Sequence, residues 1–384
     1  MKIIQISASY KPAVIYGGPT MSVSKLSEEL CKDGIDVTVF ATLANGKVEL
    51  GFPAGEITWM EKVPVWFFKR LTKDHSHFSP TLLKHLFQTI KQTHEPLIIH
   101  IHAWWNLVSI FACLIAQIKK IPVVLSPRGT LSNYSFSNNH QRFKKWIHLL
   151  AGKKLLAKCY FHVTSEQEKQ DIIKLVNPKL IQVIPNFIQL PLILKSRLKN
   201  KSKPLKLLFF SRIEAKKGLE ILLEALAGIN FSYQLTIAGT GELDYINSLK
   251  KIVAKNSMEP FVNWIGFQQN EIKFNVLQAH DLLVLPSYNE NFGNVVIEAL
   301  TVGTAVLISD QVGLADYIVA NHLGWTFQNQ PENLRKQLIK INNNRRKLDE
   351  IRLQSPQKIK YDFSEKQLAG KYISFYNKVL LNFK

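Results

Sequence analysis

Two successive series of short apolar runs, most followed by an amphipathic helical pattern, constrain the fold of this chain more than any other feature. The first series is Ile3–Ser7, Val37–Ala41, Leu97–His102, Val123–Ser126, Phe161–Thr164 and Ile181–Ile184, with Thr20–Lys32, stopped by Gly34, among the intervening helices. The second is Lys206–Ser211, Gln234–Ala238, Asn263–Phe267, Leu282–Pro286, Ala305–Ser309 and Trp325–Phe327. Such alternation is the βαβ signature of a parallel sheet covered on both faces. Between the series, Pro191 to Lys206 carries Lys195, Arg197, Lys199, Lys201, Lys203 and Lys206, two prolines and no acid, and reads as a linker. At 384 residues the chain is comfortable as two domains. The expected division is 1–190, a linker 191–205, 206–363, and a C-terminal helix 364–384 that packs back on the first domain. Both domains are expected to be α/β, Rossmann-like and doubly wound, with the ligand cleft between their facing strand ends.

The charge balance points to an anionic partner. Lys and Arg number 49 against 29 Asp and Glu, a net charge of +20. Nucleic acid, acidic membrane and phosphorylated substrate all fit such an excess. Cys31, Cys113 and Cys159 are widely spaced in sequence and odd in number, the pattern of reduced thiols in a cytosolic protein. Ile3-Ile4-Gln5-Ile6-Ser7 is too short an apolar run for a signal peptide. The most membrane-like stretch, Leu97–Ile118, carries His100, His102, Asn106 and Gln117 and is expected to be a buried strand followed by a helix.

The chemistry concentrates in Leu282 to Ile318, LLVLPSYNENFGNVVIEALTVGTAVLISDQVGLADYI. A strand is expected to end at Pro286, a polar loop to carry Glu290, and Gly293 to open a helix containing Glu298. Glu290 then lies at the helix mouth, and Glu298 about two turns inside. The peptide N–H groups of Gly293, Asn294 and Val295, at a helix start, would point at an anion such as phosphate. A carboxylate only accepts hydrogen bonds, so each Glu suits a vicinal diol, one on a ribose and one on a hexose. The alternative is two solvated glutamates placed where the helix dipole favours them.

The whole stretch resembles the signature of glycosyltransferase family 4, a large retaining group with the GT-B fold. The family's E-x7-E motif falls on Glu290 and Glu298, with Phe292-Gly293 and Glu298-Ala299 in their places. Upstream, Ser211-Arg212-Ile213-Glu214-Ala215-Lys216-Lys217-Gly218 is similar to the family's strand-to-helix turn, which holds an Arg and a Lys five residues on. Leu235 to Gly241, with Gly239 and Gly241, and Val262 to Phe267 match in order and spacing. In the first half the likeness is looser: Tyr16-Gly17-Gly18 follows strand one, and Ile184-Pro185-Asn186-Phe187 closes the domain.

The resemblance implies a retaining transfer of sugar from a UDP- or GDP-linked donor to a saccharide or lipid-linked saccharide acceptor, in cell-surface polysaccharide assembly. It implies the GT-B arrangement with an acceptor-side first domain, and neither metal nor cofactor beyond the donor. The implied catalytic residues are Glu290, Arg212, Lys217 and Arg128. The implied donor-binding residues are Gly17, Gly18, Gly239, Gly241, Phe267, Phe292, Gly293, Asn294, Val295 and Glu298. Without a metal, fixed cations and peptide dipoles must stabilise the charge that grows on the departing β-phosphate. Arg212 offers a planar fork and Lys217 a mobile point charge. Gly17-Gly18 lets the backbone approach the diphosphate, although a plain turn also explains the pair.

Many family members place a His in the first domain near the reaction centre. Here the comparable loop is Ser126-Pro127-Arg128-Gly129-Thr130-Leu131, similar to a subgroup with a Pro-Arg-Gly loop common among polysaccharide-assembly transferases. Arg128 then binds donor phosphate or an anionic acceptor, or is structural. His100 and His102 are expected on opposite faces of their strand, not acting jointly, and no zinc-ligand spacing is present. Gln141 to Lys158 places Phe143, Trp146, Ile147 and Leu150 on one helical face beside Arg142, Lys144, Lys145 and Lys153. Such a segment suits an anionic membrane surface, as of a protein peripheral on the cytoplasmic face, or packs on its own domain. A nucleic-acid-binding protein would need a helix-turn-helix, zinc-finger or RNP-like pattern, which is absent. An oxidoreductase would need G-x-G-x-x-G after strand one, and Ser7 to Thr20 has none. A nucleotide-sugar epimerase on the same fold stays open.

Overall fold

The computed structural model describes residues 1–74, 76–132, 134–135, 152–188, 190–191, 204–268 and 270–383. Two compact units form: Met1–Ile188 with Glu365–Lys384, and Gln189–Ser364. Residues 192–203 of the linker and 141–151 of the basic aromatic segment lie outside the described residues.

The first unit contains β1 (Lys2–Ser7), β2 (Asp36–Thr42), β3 (Ala44–Asn45), β4 (Val48–Glu49), β5 (Ile57–Met60), β6 (Val63–Phe68), β7 (Leu97–His102), β8 (Val123–Ser126), β9 (Tyr160–Val163) and β10 (Ile181–Val183). Eight of them make one sheet in the order β10-β9-β8-β7-β1-β2-β6-β5, while β3 and β4 pair as a separate ribbon. Within the sheet the strands are parallel except β5, which runs against β6. β5 and β6 carry no helix between them and so escaped the βαβ pattern. Pro64 also disguises β6: it lies before Val65–Phe68, the part that pairs with β2, so its missing N–H breaks no ladder bond there.

Strand alternation fills both faces. Ile4, Ile6, Ile99 and Ile101 pack under the helices Pro80–Gln92 and Leu107–Ile118, through Leu82, Leu86, Val108 and Ala112. Ile3, Ile98, Val124 and Tyr160 pack under the helices Gly18–Lys32 and Glu365–Asn382, through Leu26, Leu30, Leu368 and Phe375. Leu155 and Leu156, from the described end of the basic segment, are buried in the first of these cores. Cys113 and Cys159, distant in sequence, meet there as buried free thiols with sulfurs 3.6 Å apart. Among the described residues, no helix is long and apolar enough to cross a membrane.

The expectation for His100 and His102 was wrong. Residues two apart on a strand share a face, and the rings lie 4.2 Å apart, centroid to centroid. His100 faces the C-terminal helix, and a chain of hydrogen bonds there assigns the ring protons of His100 and His162. His162 Nε2 lies 2.9 Å from the Ile184 carbonyl oxygen, which can only accept, so Nε2 carries the hydrogen. His162 Nδ1 therefore accepts from Ser126 Oγ (2.6 Å), and Ser126 Oγ accepts from His100 Nε2 (2.7 Å). His100 Nδ1 in turn accepts from the Tyr376 hydroxyl (2.8 Å), and the Tyr372 hydroxyl lies 2.9 Å from His162 Nε2. The helix Glu365–Asn382 is thus pinned by two tyrosines as well as by its apolar face.

The second unit contains β11 (Leu205–Phe210), β12 (Tyr233–Ala238), β13 (Val262–Gly266), β14 (Leu282–Leu285), β15 (Ala305–Ser309) and β16 (Gly324–Phe327). Their order is β13-β12-β11-β14-β15-β16, all parallel. Numbered within the unit this is the doubly wound order 3-2-1-4-5-6, whose winding reverses between β11 and β14. In the first unit the reversal falls between β1 and β7.

The buried histidines make stability pH-dependent. Burial, then the charge of Arg128, lowers His162 to about 3. Burial, then neighbouring His162 and Arg128, holds His100 well below the ordinary value. In the unfolded chain these rings protonate near pH 6.5, while the folded chain keeps them neutral. Below that pH the unfolded state binds more protons and is favoured, by up to about 1.4 kcal/mol per pH unit for each such histidine. Denaturant midpoints should fall between pH 7.5 and 5.5, and a flat profile would contradict the neutral network.

Candidate functional site

The reversal of winding in the second unit brings two loops together at the carboxyl edge of its sheet. The turn after β11 carries Arg212, Lys216 and Lys217, and the loop after β14 carries Glu290. Gly218 ends the first in the left-handed region (φ 65°), and a Cβ there would sit 2.1 Å from the Pro286 carbonyl oxygen. The Tyr288 N–H donates to the Lys216 carbonyl (2.9 Å), tying the loops backbone to backbone. On the other side Ser309 Oγ donates to the Ser287 carbonyl (2.6 Å). The Glu290 N–H donates to Gln311 O (3.0 Å), and the Gly313 N–H donates to Glu290 O (2.8 Å). Glu290 is therefore positioned by three strand ends.

The Lys217 ammonium pairs with Glu290 Oε2. Burial would raise the Glu290 carboxyl, but Lys217, then Lys216 and Arg212, outweigh it and hold it below its ordinary value. The carboxylate stays charged in a cationic surround. The same burial lowers Lys216, with Glu290 opposing. Arg212 reaches outward, 58% exposed, with its Nη1 2.7 Å from Glu214 Oε1. A guanidinium held so loosely keeps donors for a ligand.

The helix Asn294–Thr301 follows, with Gly293 as its N-cap at φ 93° and no side chain capping it. A Cβ at Gly293 would press on Val312 and Val296 at 3.2 and 3.3 Å. Glu298 is the fifth residue of this helix, little more than one turn in rather than the two expected. It is paired with Lys273 (2.7 Å), from the helix Asn270–Ala279. Val295 is half-buried in the first turn. Ser287 Oγ and Asn289 Oδ1, in the loop between Pro286 and Gly293, are buried without a hydrogen-bond partner among the described residues.

Three expected donor contacts need restating. The Phe292 ring is 2% exposed and packs edge-on against Phe363, so this side chain serves the core. Cβ atoms at Gly239 and Gly241 would each sit 1.9 Å from the carbonyl oxygens of Ser211 and Ile213 respectively. Those two glycines are demanded by the backbone that carries Arg212, which they buttress. Phe267, by contrast, is 58% exposed beyond the end of β13.

The first unit presents its own residues at its carboxyl edge. Gly17 (φ 69°) caps the helix Gly18–Lys32 with open space beside it. Half-buried Arg128 (φ 52°) follows β8 and donates to His102 Nδ1 (3.3 Å) and Asn186 Oδ1 (2.9 Å). Among the described residues, no group of three or more His, Cys, Asp or Glu side chains is arranged to hold a metal ion. The sequence reading missed Lys216 and Lys273 as partners of the site. Lys216 adjoins a recognised position, whereas nothing in the sequence ties Lys273 to a glutamate 25 residues on.

The comparisons with known proteins bear on the family and the fold. The family described as Glycosyltransferase Family 4 matches residues 16–191, and Glycosyl transferases group 1 matches residues 193–358. A glycogen synthase of Mycobacterium tuberculosis is 24% identical over 347 residues, covering 84% of this chain and 81% of that protein. The sucrose-phosphate synthase structure from Thermosynechococcus elongatus superposes with a TM-score of 0.77 at 18% identity, covering 100% of both chains. Anabaena HepE, solved in complex with UDP and glucose, gives a TM-score of 0.72 at 17% identity over 98% of this chain and 100% of that one. The two families between them account for nearly all of the chain, and it belongs to glycosyltransferase family 4, with the GT-B fold of two doubly wound domains.

Proposed function

We propose that this protein is a retaining, metal-independent transferase that moves a sugar from a UDP- or GDP-linked donor to a saccharide or lipid-linked saccharide acceptor. The observation that carries the reading is the Lys217–Glu290 pair at the β11/β14 reversal, with Arg212 beside it and the start of a helix one loop away. In the reaction the bond from the anomeric carbon to the β-phosphate oxygen breaks and the acceptor hydroxyl oxygen takes its place on the same face. The hydroxyl proton leaves with the nucleoside diphosphate. Negative charge grows on the β-phosphate, where Arg212, Lys217 and the peptide N–H groups of Gly293, Asn294 and Val295 are assigned to receive it. Glu290 is assigned to the transferred sugar, Glu298 to the ribose and Phe267 to the base. Gly17 and Gly18 are assigned to the diphosphate, and Arg128 to an anionic group. UDP and glucose in the HepE complex support a nucleotide-sugar donor here. An amylovoran biosynthesis glycosyltransferase of Erwinia amylovora, 33% identical over 133 residues, 32% of each protein, supports cell-surface polysaccharide assembly.

A lipid-linked acceptor places the protein on the cytoplasmic face of a membrane. Supporting this, the chain has no Asp or Glu between Glu95 and Glu166, a span that contains nine Lys and Arg residues. Within it the helix Leu107–Ile118 leaves Phe111, Leu114 and Ile118 exposed beside Lys119 and Lys120.

The reading predicts a release of nucleoside diphosphate that depends on acceptor; release without acceptor-dependent product would sink it. Glu298→Gln should weaken donor binding, and Glu290→Gln should act chiefly on turnover. Wild-type kinetics in both would remove the assignment.

Arg212→Ala and Lys217→Ala should each lower turnover roughly 10²–10³-fold, the scale of one charge-stabilising donor. The Lys217→Ala/Glu290→Gln double variant should lose less than the product of the singles, since the two groups share a contact. Activity should survive EDTA; strict dependence on added Mg²⁺ or Mn²⁺ would point to another mechanism.

Co-sedimentation with vesicles should rise with anionic lipid and fall with salt, each basic residue near the surface contributing on the order of 1 kcal/mol. Reversing Arg142, Lys144 and Lys145 to Glu should release the protein without changing donor affinity. Equal binding to neutral and anionic vesicles, unmoved by the reversal, would count against membrane docking.

A further inference from the structure

Among the described residues, the hydrogen-bond partners of the Arg128 cation are neutral. Arginine only donates, so His102 Nδ1 accepts from Arg128 Nε (3.3 Å), leaving the hydrogen on His102 Nε2, which donates to Gln5 Oε1 (3.0 Å). Burial, then His100 and Arg128, holds His102 well below its ordinary value, so it stays uncharged. The second partner, Asn186 Oδ1 at 2.9 Å, is an amide. His100 and His162 form a separate neutral chain through Ser126, and the His100 ring lies against the His102 ring, 4.2 Å between centroids. The nearby carboxylate, Glu168, is engaged elsewhere: Oε1 accepts from Gly129 N (2.7 Å), and Oε2 accepts from Thr164 N (2.8 Å) and Thr164 Oγ1 (3.1 Å). It lends Arg128 a favourable field.

The position is as telling as the charge. Arg128 and Gly129 both hold positive φ, 52° and 78°. A non-glycine residue keeps that conformation where its surroundings over-determine it, commonly at ligand sites. The Thr130 N–H and Oγ1 lock the turn onto the Pro127 carbonyl at 3.1 and 2.6 Å. Through His102 and Gln5 the guanidinium leans on the ends of β7 and on β1, the two strands between which the winding reverses and where such sheets bind ligands. Two of the five guanidinium N–H donors are used by these partners. Gln5 Nε2, fully buried, is a further donor without a partner among the described residues. A half-buried charge with no ion-pair partner among the described residues is costly to keep, and a fixed fork of donors matches an oxyanion.

We infer that Arg128 is the centre of an anion site, built from first-unit residues alone, that receives a phosphate group of a substrate. With His102 and Asn186 as its partners, the guanidinium has no ion-pair contact among the described residues until that phosphate arrives. The word substrate rests on the transferase reading. The phosphate belongs either to the donor diphosphate or to a phosphate ester on the acceptor.

Inorganic phosphate titrated against the full chain, with melting temperature followed at matched ionic strength, tests the site. In an Arg212→Ala/Lys217→Ala background phosphate should still raise the melting temperature. Adding Arg128→Met should remove that rise, with phosphate affinity at least about tenfold weaker, the scale of a lost charge-assisted pair. Without anion the Arg128→Met chain should melt at or above its parent, because a half-buried charge without an ion-pair contact is gone. Arg128→Lys, keeping the charge without the fork, should retain a weakened response, and it serves if the methionine variant does not fold. UDP and GDP titrations of the single Arg128→Met variant separate the sources. Weakened diphosphate binding assigns the donor, and unchanged binding with a lost phosphate response assigns the acceptor. A phosphate response undiminished in Arg128→Met, or as strong in Arg128→Lys as in its parent, overturns the site. Failure of acceptor-dependent release would sink the transferase reading while leaving the phosphate measurement standing.

Discussion

The Lys217–Glu290 ion pair is the contact on which the second unit's site depends. It joins the strand at which that sheet begins to the strand at which its winding reverses. A carboxylate so placed would be driven to protonate by burial alone, and it stays charged because Lys217, Lys216 and Arg212 surround it. The cluster is therefore both a structural junction and a store of oriented positive charge. Oriented charge that needs no rearrangement is what a departing diphosphate requires.

Around that pair the backbone does most of the positioning. The Lys216–Tyr288 and Glu290–Gln311 bonds, with the Gly313–Glu290 bond, make one seam out of three loops. Glycine is required where the seam is tightest. Gly218 meets the Pro286 carbonyl, and Gly239 and Gly241 meet the Ser211 and Ile213 carbonyls. These positions read in sequence as ligand-contacting glycines, yet for Gly239 and Gly241 close approach of one protein backbone to another is sufficient reason for the missing side chain.

The first unit solves a different problem with the same architecture. It holds Arg128 at its carboxyl edge and, among the described residues, gives it neutral hydrogen-bond partners in place of a paired carboxylate. Each proton in the chain from Ile184 through His162, Ser126 and His100 to Tyr376 is dictated by the next acceptor. Tyr372 and Tyr376 come from the far end of the sequence, so the polar interior of this unit is complete only when the last helix is docked.

Much of this was legible in the sequence, for physical reasons. Buried parallel strands must be apolar runs, so most sheet strands showed themselves, and β5 and β6 were hidden because no crossover helix separates them. Glu290, Arg212 and Lys217 were singled out in sequence by their resemblance to a family motif, and the structure brings them together at the winding reversal. Tertiary structure alone decided the rest. It turned Phe292 into a core residue, paired Glu298 with Lys273 and brought Cys113 to Cys159; the shared face of His100 and His102, by contrast, follows from strand alternation alone. Spacing along a chain reports which residues lie near one element. Side-chain partners are drawn from elements distant in sequence, and burial, hydrogen bonding and charge select them only once those elements have packed.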